Sequence, residues 1–297
     1  MKISLVLLPA LLFFIFVFFS AIDRSEYVLE KKMWKIQQQF TVEAQYGILS
    51  KEKSEYLTTM YRNLIQQYPK SGLLPQIYIR IGQIYAVNKD FEKARTSYSE
   101  ALQRFPQQKD LCSEALLDIG LTYEKENKVA MALETYRQVV KNYPLTDVGL
   151  NMPLYIANYC HRLNKDVEAQ NAFQEAEGFY RNTAQENPNS SKGFNALRFL
   201  SVTYLDQEKW DDAVKIFEKI LLEYIPSPYL DSKTTGSMVY LINVVSIEKL
   251  KKPGQPIAFY QMLIEKHPGY PLNKFFKDVI VTLQGLKNRK GIIPRYN

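Results

Sequence analysis

One pattern of about 34 residues occurs twice between residues 75 and 144, and corresponding positions in the two copies are 38 residues apart. Each copy combines large apolar residues, a glycine, a tyrosine, small residues and a closing proline. Repetition at this period predicts that the chain is built by stacking one structural unit, and stacked units offer long binding surfaces. The first copy consists of Tyr78, Ile81, Gly82, Tyr85, Ala94, Tyr98, Ala101 and Pro106, and the second of Leu116, Ile119, Gly120, Tyr123, Ala132, Tyr136, Val139 and Pro144.

Each copy has the pattern of two amphipathic helices joined by a short polar turn. Apolar residues recur at a spacing of about 3.6 residues in both arms, and residues 88–90 separate the arms of the first copy. Gly82 and Ala94 are small where two helices must approach closely. Pro106 ends the second arm, because proline lacks a backbone N–H and disfavours helix in the preceding residue. The pattern therefore predicts helix pairs and an all-α protein.

The order and spacing of these residues resemble the tetratricopeptide repeat. That family places a large apolar residue, Leu-Gly, Tyr, Ala, Phe or Tyr, Ala and Pro at fixed offsets. The resemblance implies a right-handed superhelical solenoid of about five to six helix pairs. We expect this solenoid to occupy residues 51–288, with residues 289–297 as a tail.

Weaker copies extend the pattern on both sides of the clear ones. The third pair closes late, at Pro188, which predicts a second helix about two turns longer than the others. Residues 274–287 carry the apolar face expected of a capping helix, since terminal units must cover the core. The residues of the weaker copies are Leu57, Tyr61 and Leu64 before Pro69; Ala157, Ala169, Phe173 and Ala176; Leu197, Leu200, Ser201, Tyr204, Trp210, Ala213, Phe217 and Ile220 before Pro226; and Tyr240, Val244, Ile247, Tyr260 and Leu263 before Pro268.

The first 24 residues contain an apolar segment long enough to span a membrane. Residues 3–22 are 20 consecutive residues without a charge, which as a helix would be about 30 Å long. A cleaved signal peptide and an uncleaved single-span anchor are both compatible with this segment. Its length exceeds the usual signal core of about 7–15 residues, and bulky Phe19 disfavours cleavage after Ala21, so we favour the anchor. No cysteine follows the segment, so a lipoprotein attachment site is absent from it.

The orientation of this anchor follows from two opposing signals. Lys2 precedes the apolar segment and four basic residues follow it at 24–35, so the count of basic residues favours a cytoplasmic C-terminal part. A short basic N-terminus before an apolar run is, however, also how exported chains begin, and long domains are translocated largely regardless of charge. We favour export, which predicts a single-pass membrane protein with periplasmic or extracytoplasmic repeats. Residues 25–50 should form a helix that links the anchor to the repeats.

The sequence lacks the motifs of the common enzyme classes. His161 and His267 have no Cys, Asp or His at metal-ligand spacing, and neither a Gly-rich phosphate loop nor a serine nucleophile elbow occurs. The net charge is +7, but basic and acidic residues are interleaved, which favours a solvated surface over a nucleic-acid interface. We therefore expect no catalytic residue, no cofactor, no metal and no nucleic-acid partner.

The two cysteines, Cys112 and Cys160, are too few for a disulfide scaffold. The repeat register places them about 16 Å apart along parallel helices, well beyond the ~7 Å Cα separation that a disulfide allows. We predict two free, mostly buried thiols.

The remaining candidate for function is the surface of the first helices of the pairs. The tetratricopeptide resemblance implies that these helices line a concave groove, whose outward positions would hold a protein or peptide partner. Ile79 and Gln83 stand where chaperone-binding members need Lys and Asn for a two-carboxylate clamp, so we do not expect that specificity. The predicted groove residues are Gln76, Ile79, Gln83, Leu117, Leu121, Glu124, Asn158, Arg162, Asn195, Arg198 and Val202.

Together these inferences predict a non-catalytic scaffold, tethered to the membrane through residues 3–22, that binds a protein or peptide of the cell envelope. The Tyr-Pro pairs at 68–69 and 143–144 are similar to those of bacterial envelope proteins with this repeat, namely the lipoprotein of the barrel-assembly machine and the Tol–Pal-associated protein. The missing lipidation cysteine departs from the lipoprotein members. The alternative is a self-associating, homo-oligomeric component of an envelope assembly or secretion complex.

Overall fold

The computed structural model describes residues 25–45 and 49–287. Within these residues the chain forms thirteen α-helices and no β-strand, which confirms the all-α prediction. The helices group into two compact units, Met1–Gly149 and Leu150–Asn297. In chain order they are α1 (Glu26–Gln45), α2 (Lys51–Gln67), α3 (Leu74–Val87), α4 (Phe91–Arg104), α5 (Lys109–Lys125), α6 (Val129–Asn142), α7 (Asp147–Arg162), α8 (Asp166–Glu186), α9 (Ser191–Asp206), α10 (Trp210–Tyr224), α11 (Ser232–Val244), α12 (Gly254–Lys266) and α13 (Asn273–Lys287).

Short polar turns join the two helices of each pair from α3–α4 to α11–α12, and each of these turns contains one residue with a left-handed backbone. Lys89 has φ 62° between α3 and α4, and Asn127 has φ 58° between α5 and α6. Asp90 then caps α4 by accepting a hydrogen bond from the backbone N–H of Lys93 at 3.4 Å. A turn this short returns the chain along the preceding helix, so each pair packs as a helical hairpin. The corresponding left-handed residues of later turns are Asn164, Glu208 and Lys251.

The core of the first unit repeats one contact between a glycine and a tyrosine ring. Tyr98 and Tyr136 are 2% and 0% exposed. The Tyr98 ring lies against Gly82 and the Tyr136 ring against Gly120, so closely that a Cβ at either glycine would overlap the ring. The repeat in the sequence is therefore a repeat of this helix packing.

The second unit begins with a helix interrupted by proline. Pro153 lies inside α7, and a proline there removes a backbone hydrogen bond. The Tyr180 hydroxyl of α8 donates to the Leu150 carbonyl at 2.9 Å and accepts from the Leu154 N–H at 3.2 Å, so it bridges the pair of backbone groups that follows the bond lost at the proline. Helix α8 has 21 residues against 14 in α4 and in α6, which confirms the prediction of a longer second helix.

The last pair, α11 and α12, departs from the predicted register. Val239 and Asn243 of α11 are both 0% exposed, and each lies one position before a residue that the pattern places in the core, Tyr240 or Val244. The reason is a π-helical turn at Val245–Lys249, which adds one residue to the helical turn and shifts the preceding residues by one position. Tyr240, Val244 and Ile247 are therefore only partly buried, whereas the prediction holds for Tyr260 and Leu263.

Two smaller predictions are confirmed in the described residues. Helix α13 packs Phe276, Val279 and Leu283 into the core at 0%, 1% and 2% exposure, as a capping helix should. Cys112 and Cys160 are both buried, and no disulfide joins them in the part of the chain that the structure describes.

The predicted membrane segment, residues 3–22, and the predicted tail, residues 289–297, lie outside the described residues. None of the helices α1 to α13, which make up the described part of the chain, combines the length and the apolar character needed to cross a bilayer.

A candidate partner groove

In the first unit, three predicted groove residues lie on α3. Gln76 is exposed and Gln83 is half-buried. Ile79, in contrast, is only 4% exposed, so its side chain belongs to the core and offers little surface to a partner.

Gln83 belongs to a hydrogen-bonded chain that crosses from α3 to α5. Its amide nitrogen donates to the Asp118 carboxylate at 3.3 Å, and its amide oxygen accepts from Arg80 at 2.9 Å. The buried Tyr98 hydroxyl also forms a hydrogen bond with Asp118. The space between these two first helices is thus occupied by paired polar groups.

The environment of Asp118 changes its proton affinity. Burial raises the pKa of the Asp118 carboxyl above its usual range, and the hydrogen bonds from Gln83 and Tyr98 only partly oppose that effect. Burial likewise raises the pKa of the Tyr98 phenol, and the neighbouring Asp118 charge adds to the rise. Neither the sequence pattern nor the groove register pointed to Asp118, because the repeat motif leaves its position variable.

The predicted groove residues of α5 are all half-buried: Leu117, Leu121 and Glu124. Glu124 accepts a hydrogen bond from the Tyr136 hydroxyl at 2.8 Å. Its carboxylate therefore has a structural partner on α6 as well as a solvent-accessible side.

In the second unit, the two predicted residues of α7 differ in their surroundings. Asn158 donates from its amide to the Asp206 carboxylate at 2.9 Å and so links α7 to α9. Arg162 is exposed, and its guanidinium lies over the rings of Tyr155 and Tyr159 at 5.5 and 5.6 Å from their centroids. Stacking on two rings holds this cation in place at the surface.

Three further predicted residues lie on α9. Arg198 donates to the Asn195 side-chain oxygen at 3.4 Å, and its guanidinium lies 5.7 Å from the centroid of the Phe194 ring. These contacts orient the Arg198 side chain along its own helix. Val202, one turn further on, is 38% exposed.

Arg198 and Val202 line a cleft of about 450 Å³ between α9 and α11. Phe217 of α10 forms part of its wall, and Lys233 of α11 faces it together with Arg198. Among the described residues that line it, two are basic and none is acidic. The lining residues are Arg198, Phe199, Ser201, Val202, Phe217, Lys233, Thr234, Ser237, Met238 and Leu241.

The repeat pattern does not predict the α11 side of this cleft. Lys233, Met238 and Leu241 belong to the pair whose register was shifted by the π-helical turn. A signal was present in the stretch at 225–231, which contains two prolines and is longer than the connections before α3, α5, α7 and α9.

Three segments of the chain match the tetratricopeptide repeat family. They are residues 75–108, 114–146 and 196–224, and they coincide with the pairs α3–α4, α5–α6 and α9–α10. These segments are tetratricopeptide repeats.

Solved structures that are similar to the chain are distant from it in sequence, and no curated protein sequence matches it significantly. BtubC from P. vanneervenii has 16% identity and a TM-score of 0.44, over 88% of this chain and 96% of that one. Cut9–Hcn1 of the APC/C has 14% identity and a TM-score of 0.37, over 85% of this chain and 42% of that one. The TPR2AB domain of yeast Sti1 in its pHSP90 complex has 8% identity and a TM-score of 0.35, over 88% of this chain and all (100%) of that one.

The tetratricopeptide register relates the two groove regions. Gln83 directly follows Gly82 in one repeat, and Val202 directly follows Ser201 at the same repeat position in another. The same position therefore carries an amide that binds Asp118 in the first unit and an exposed apolar side chain in a cleft in the second.

Proposed function

We propose that this protein is a non-catalytic, membrane-tethered tetratricopeptide repeat scaffold that binds a protein or peptide of the cell envelope. The observation that carries the proposal is the cleft between α9 and α11, which is lined by two of the predicted groove residues, Arg198 and Val202. A concave, largely apolar site with a few placed polar groups is what a bound segment requires.

The chemistry of the cleft favours an apolar segment with an acidic group beside it. Val202, Met238 and Leu241 offer apolar surface, and burying such side chains is the main source of affinity in peptide recognition. Arg198 and Lys233 supply positive charge on the two sides, which steers and orients an anionic partner.

The tether is proposed from the sequence. Residues 3–22 have the length and composition of a single-span anchor. An anchor would confine the repeats to one membrane surface and raise the effective concentration of partners held there. The Tyr-Pro pairs and the apolar N-terminus support a place in the bacterial envelope, with the repeats on the extracytoplasmic side.

The binding proposal can be tested by site-specific photo-crosslinking in cells. A photo-reactive residue at Val202, which is 38% exposed and lines the cleft, should give a discrete adduct with a partner. The same residue at Val167, which is 70% exposed on α8, should not. Reversing both cleft charges (Arg198→Glu with Lys233→Glu) should lower adduct formation about tenfold, because an acidic segment would meet like charge.

The crosslinking results distinguish partner binding in the cleft from its absence and from self-association. Equal crosslinking at Val202 and Val167, or an adduct unaffected by charge reversal, would contradict binding in this cleft. An adduct between two copies of the chain would instead favour the self-associating alternative.

The tether and its orientation need a separate experiment. The full chain should remain in the membrane pellet after alkaline extraction, and a reporter fused after Asn297 should be active only outside the cytoplasm. Release by alkali would contradict the anchor, and a cytoplasmic reporter signal would contradict the export.

A further inference from the structure

The exposed face of α1 carries aromatic and basic side chains in one stripe. Tyr27 is 73% exposed and Trp34 is 60% exposed. Lys31 lies between them, so positions i, i+4 and i+7 share one side of the helix. Lys35 is exposed beside Trp34. Large exposed aromatic side chains on an otherwise packed helix indicate an interaction surface.

The orientation of this stripe is fixed by the opposite side of α1. Leu29 and Ile36 are 0% and 2% exposed, since they pack into the first unit. The Glu26 carboxylate accepts hydrogen bonds from the Ser71 hydroxyl at 3.1 Å and the Gly72 N–H at 2.9 Å. Lys32 donates to the Tyr68 hydroxyl at 2.9 Å. Helix α1 therefore cannot turn its aromatic stripe inward without breaking these contacts.

The stripe begins close to the apolar segment in the chain. Tyr27 is five residues after Ile22, the last residue of that segment, so at most about 18 Å of chain separates them. Trp34 is two helical turns further, about 10 Å along α1. If residues 3–22 enter a bilayer, both aromatic side chains are within reach of its surface.

We propose that the stripe of Tyr27, Lys31, Trp34 and Lys35 lies on the membrane surface and holds the repeats against it. The inference rests on the proposed membrane tether. Tyrosine and tryptophan concentrate at the membrane–water interface, where an apolar ring and a polar group are both accommodated. Lysines extend their ammonium groups to lipid phosphates while their stems cover apolar surface.

The charge of the stripe selects an anionic lipid surface. Lys31 and Lys35 flank Trp34, and each basic residue near such a surface strengthens binding. Of the neighbouring acidic residues, Glu26 is bonded to Ser71 and Gly72. Glu30 lies three residues after Tyr27 and four before Trp34, on the same side of α1, so it offsets one of the two lysine charges and leaves the stripe with a net charge of +1.

Fluorescence of the full chain reconstituted into vesicles tests the proposal. The two tryptophans are Trp34 and Trp210, so the difference between the wild-type chain and Trp34→Phe isolates the Trp34 signal. In vesicles that contain phosphatidylglycerol, brominated lipid should quench this signal and aqueous iodide should not. Replacing Lys31 and Lys35 by Gln should shift the equilibrium away from the docked state, about fivefold for each lysine, and the shift should vanish in pure phosphatidylcholine.

A matched control and flotation make the outcomes distinct. Tyr56→Ala removes an aromatic residue of α2 that is 53% exposed, and it should leave the Trp34 quenching unchanged, whereas Tyr27→Ala should reduce it. A chain that fails to float with the vesicles would overturn the tether and this inference together. A chain that floats with Trp34 open to iodide would overturn this inference alone. Trp34 shielded from iodide but not quenched by brominated lipid would mean that protein, not lipid, covers the stripe.

Discussion

The space between consecutive first helices is used in opposite ways in the two units. Between α3 and α5 the Gln83 amide and the Tyr98 hydroxyl both bind the Asp118 carboxylate. Between α9 and α11, Val202 takes the position of Gln83 and lines a cleft of about 450 Å³ with Ser201 and Phe217. One region satisfies its own polar groups, and the other has apolar side chains and two cations along an open cleft.

The proposed binding cleft lies where the repeat departs from its regular form. In the first unit Gly82 and Gly120 each accept a tyrosine ring, and the pairs pack alike. In the last pair of the second unit, Asn243 takes the glycine position against Tyr260, and a π-helical turn follows it. Regular contacts stabilise the scaffold, while the irregular pair forms one wall of the cleft.

The largest effect should come from disturbing the regular packing. Gly82→Ala adds a methyl group where the buried Tyr98 ring lies, so we expect a loss of about 2 kcal/mol in the free energy of unfolding from overpacking. Urea denaturation followed by circular dichroism measures it. Gly178→Ala is the matched control, since no atom lies within 4 Å of that added Cβ, and it should be neutral or stabilise α8. Equal effects of the two substitutions would show that the glycine–tyrosine contact does not control stability.

In the irregular pair, α11 and α12, removing one buried hydrogen bond should lower stability. The Tyr260 hydroxyl donates to Asn243 at 3.0 Å, and Asn243 is 0% exposed. Tyr260→Phe leaves the buried amide oxygen without this donor, so we expect a loss of about 1 kcal/mol. Adding Asn243→Leu removes the buried amide and should restore most of the stability, as measured by a double-mutant cycle. Additive losses in the double variant would contradict the coupling.

The sequence predicted the regular part of the molecule well, because each packing contact there repeats with the same residue types. Tyr98 and Tyr136 fill equivalent sites, and their spacing alone predicts the pairs. The last pair could not be placed, since a π-helical turn leaves no marker in the residue types around Val245. The repeat register predicted which positions lie along the groove, but it could not predict what their side chains contact. Whether Gln83 faces a partner or Asp118 depends on a residue of the next helix, which the motif leaves variable.

Exchanging the residues at the equivalent groove position tests the comparison directly. Val202→Gln places an amide in the cleft and should weaken partner crosslinking about fivefold, since roughly 1 kcal/mol of apolar burial is lost. Gln83→Val, its counterpart in the first unit, should leave crosslinking at the cleft unchanged. Photo-crosslinking yield against partner concentration measures both. A larger effect from Gln83→Val would move the binding surface to the first unit.

The smallest effect expected is a pH dependence of stability that arises from Asp118, between α3 and α5. Burial raises the pKa of Asp118 in the folded chain above its unfolded value of about 3.9. The contribution of Asp118 to the free energy of unfolding is therefore fully present below the unfolded pKa and is lost as pH rises through the folded pKa. Asp118→Asn does not ionise, so its stability relative to the wild-type chain should rise from about pH 3 to about pH 7. Urea midpoints across this range measure the difference. Glu175→Gln alters an exposed carboxylate of α8 and should give no such trend. If the stability of Asp118→Asn relative to the wild-type chain stays flat or falls over this pH range, the ionised Asp118 carboxylate is stabilised between α3 and α5.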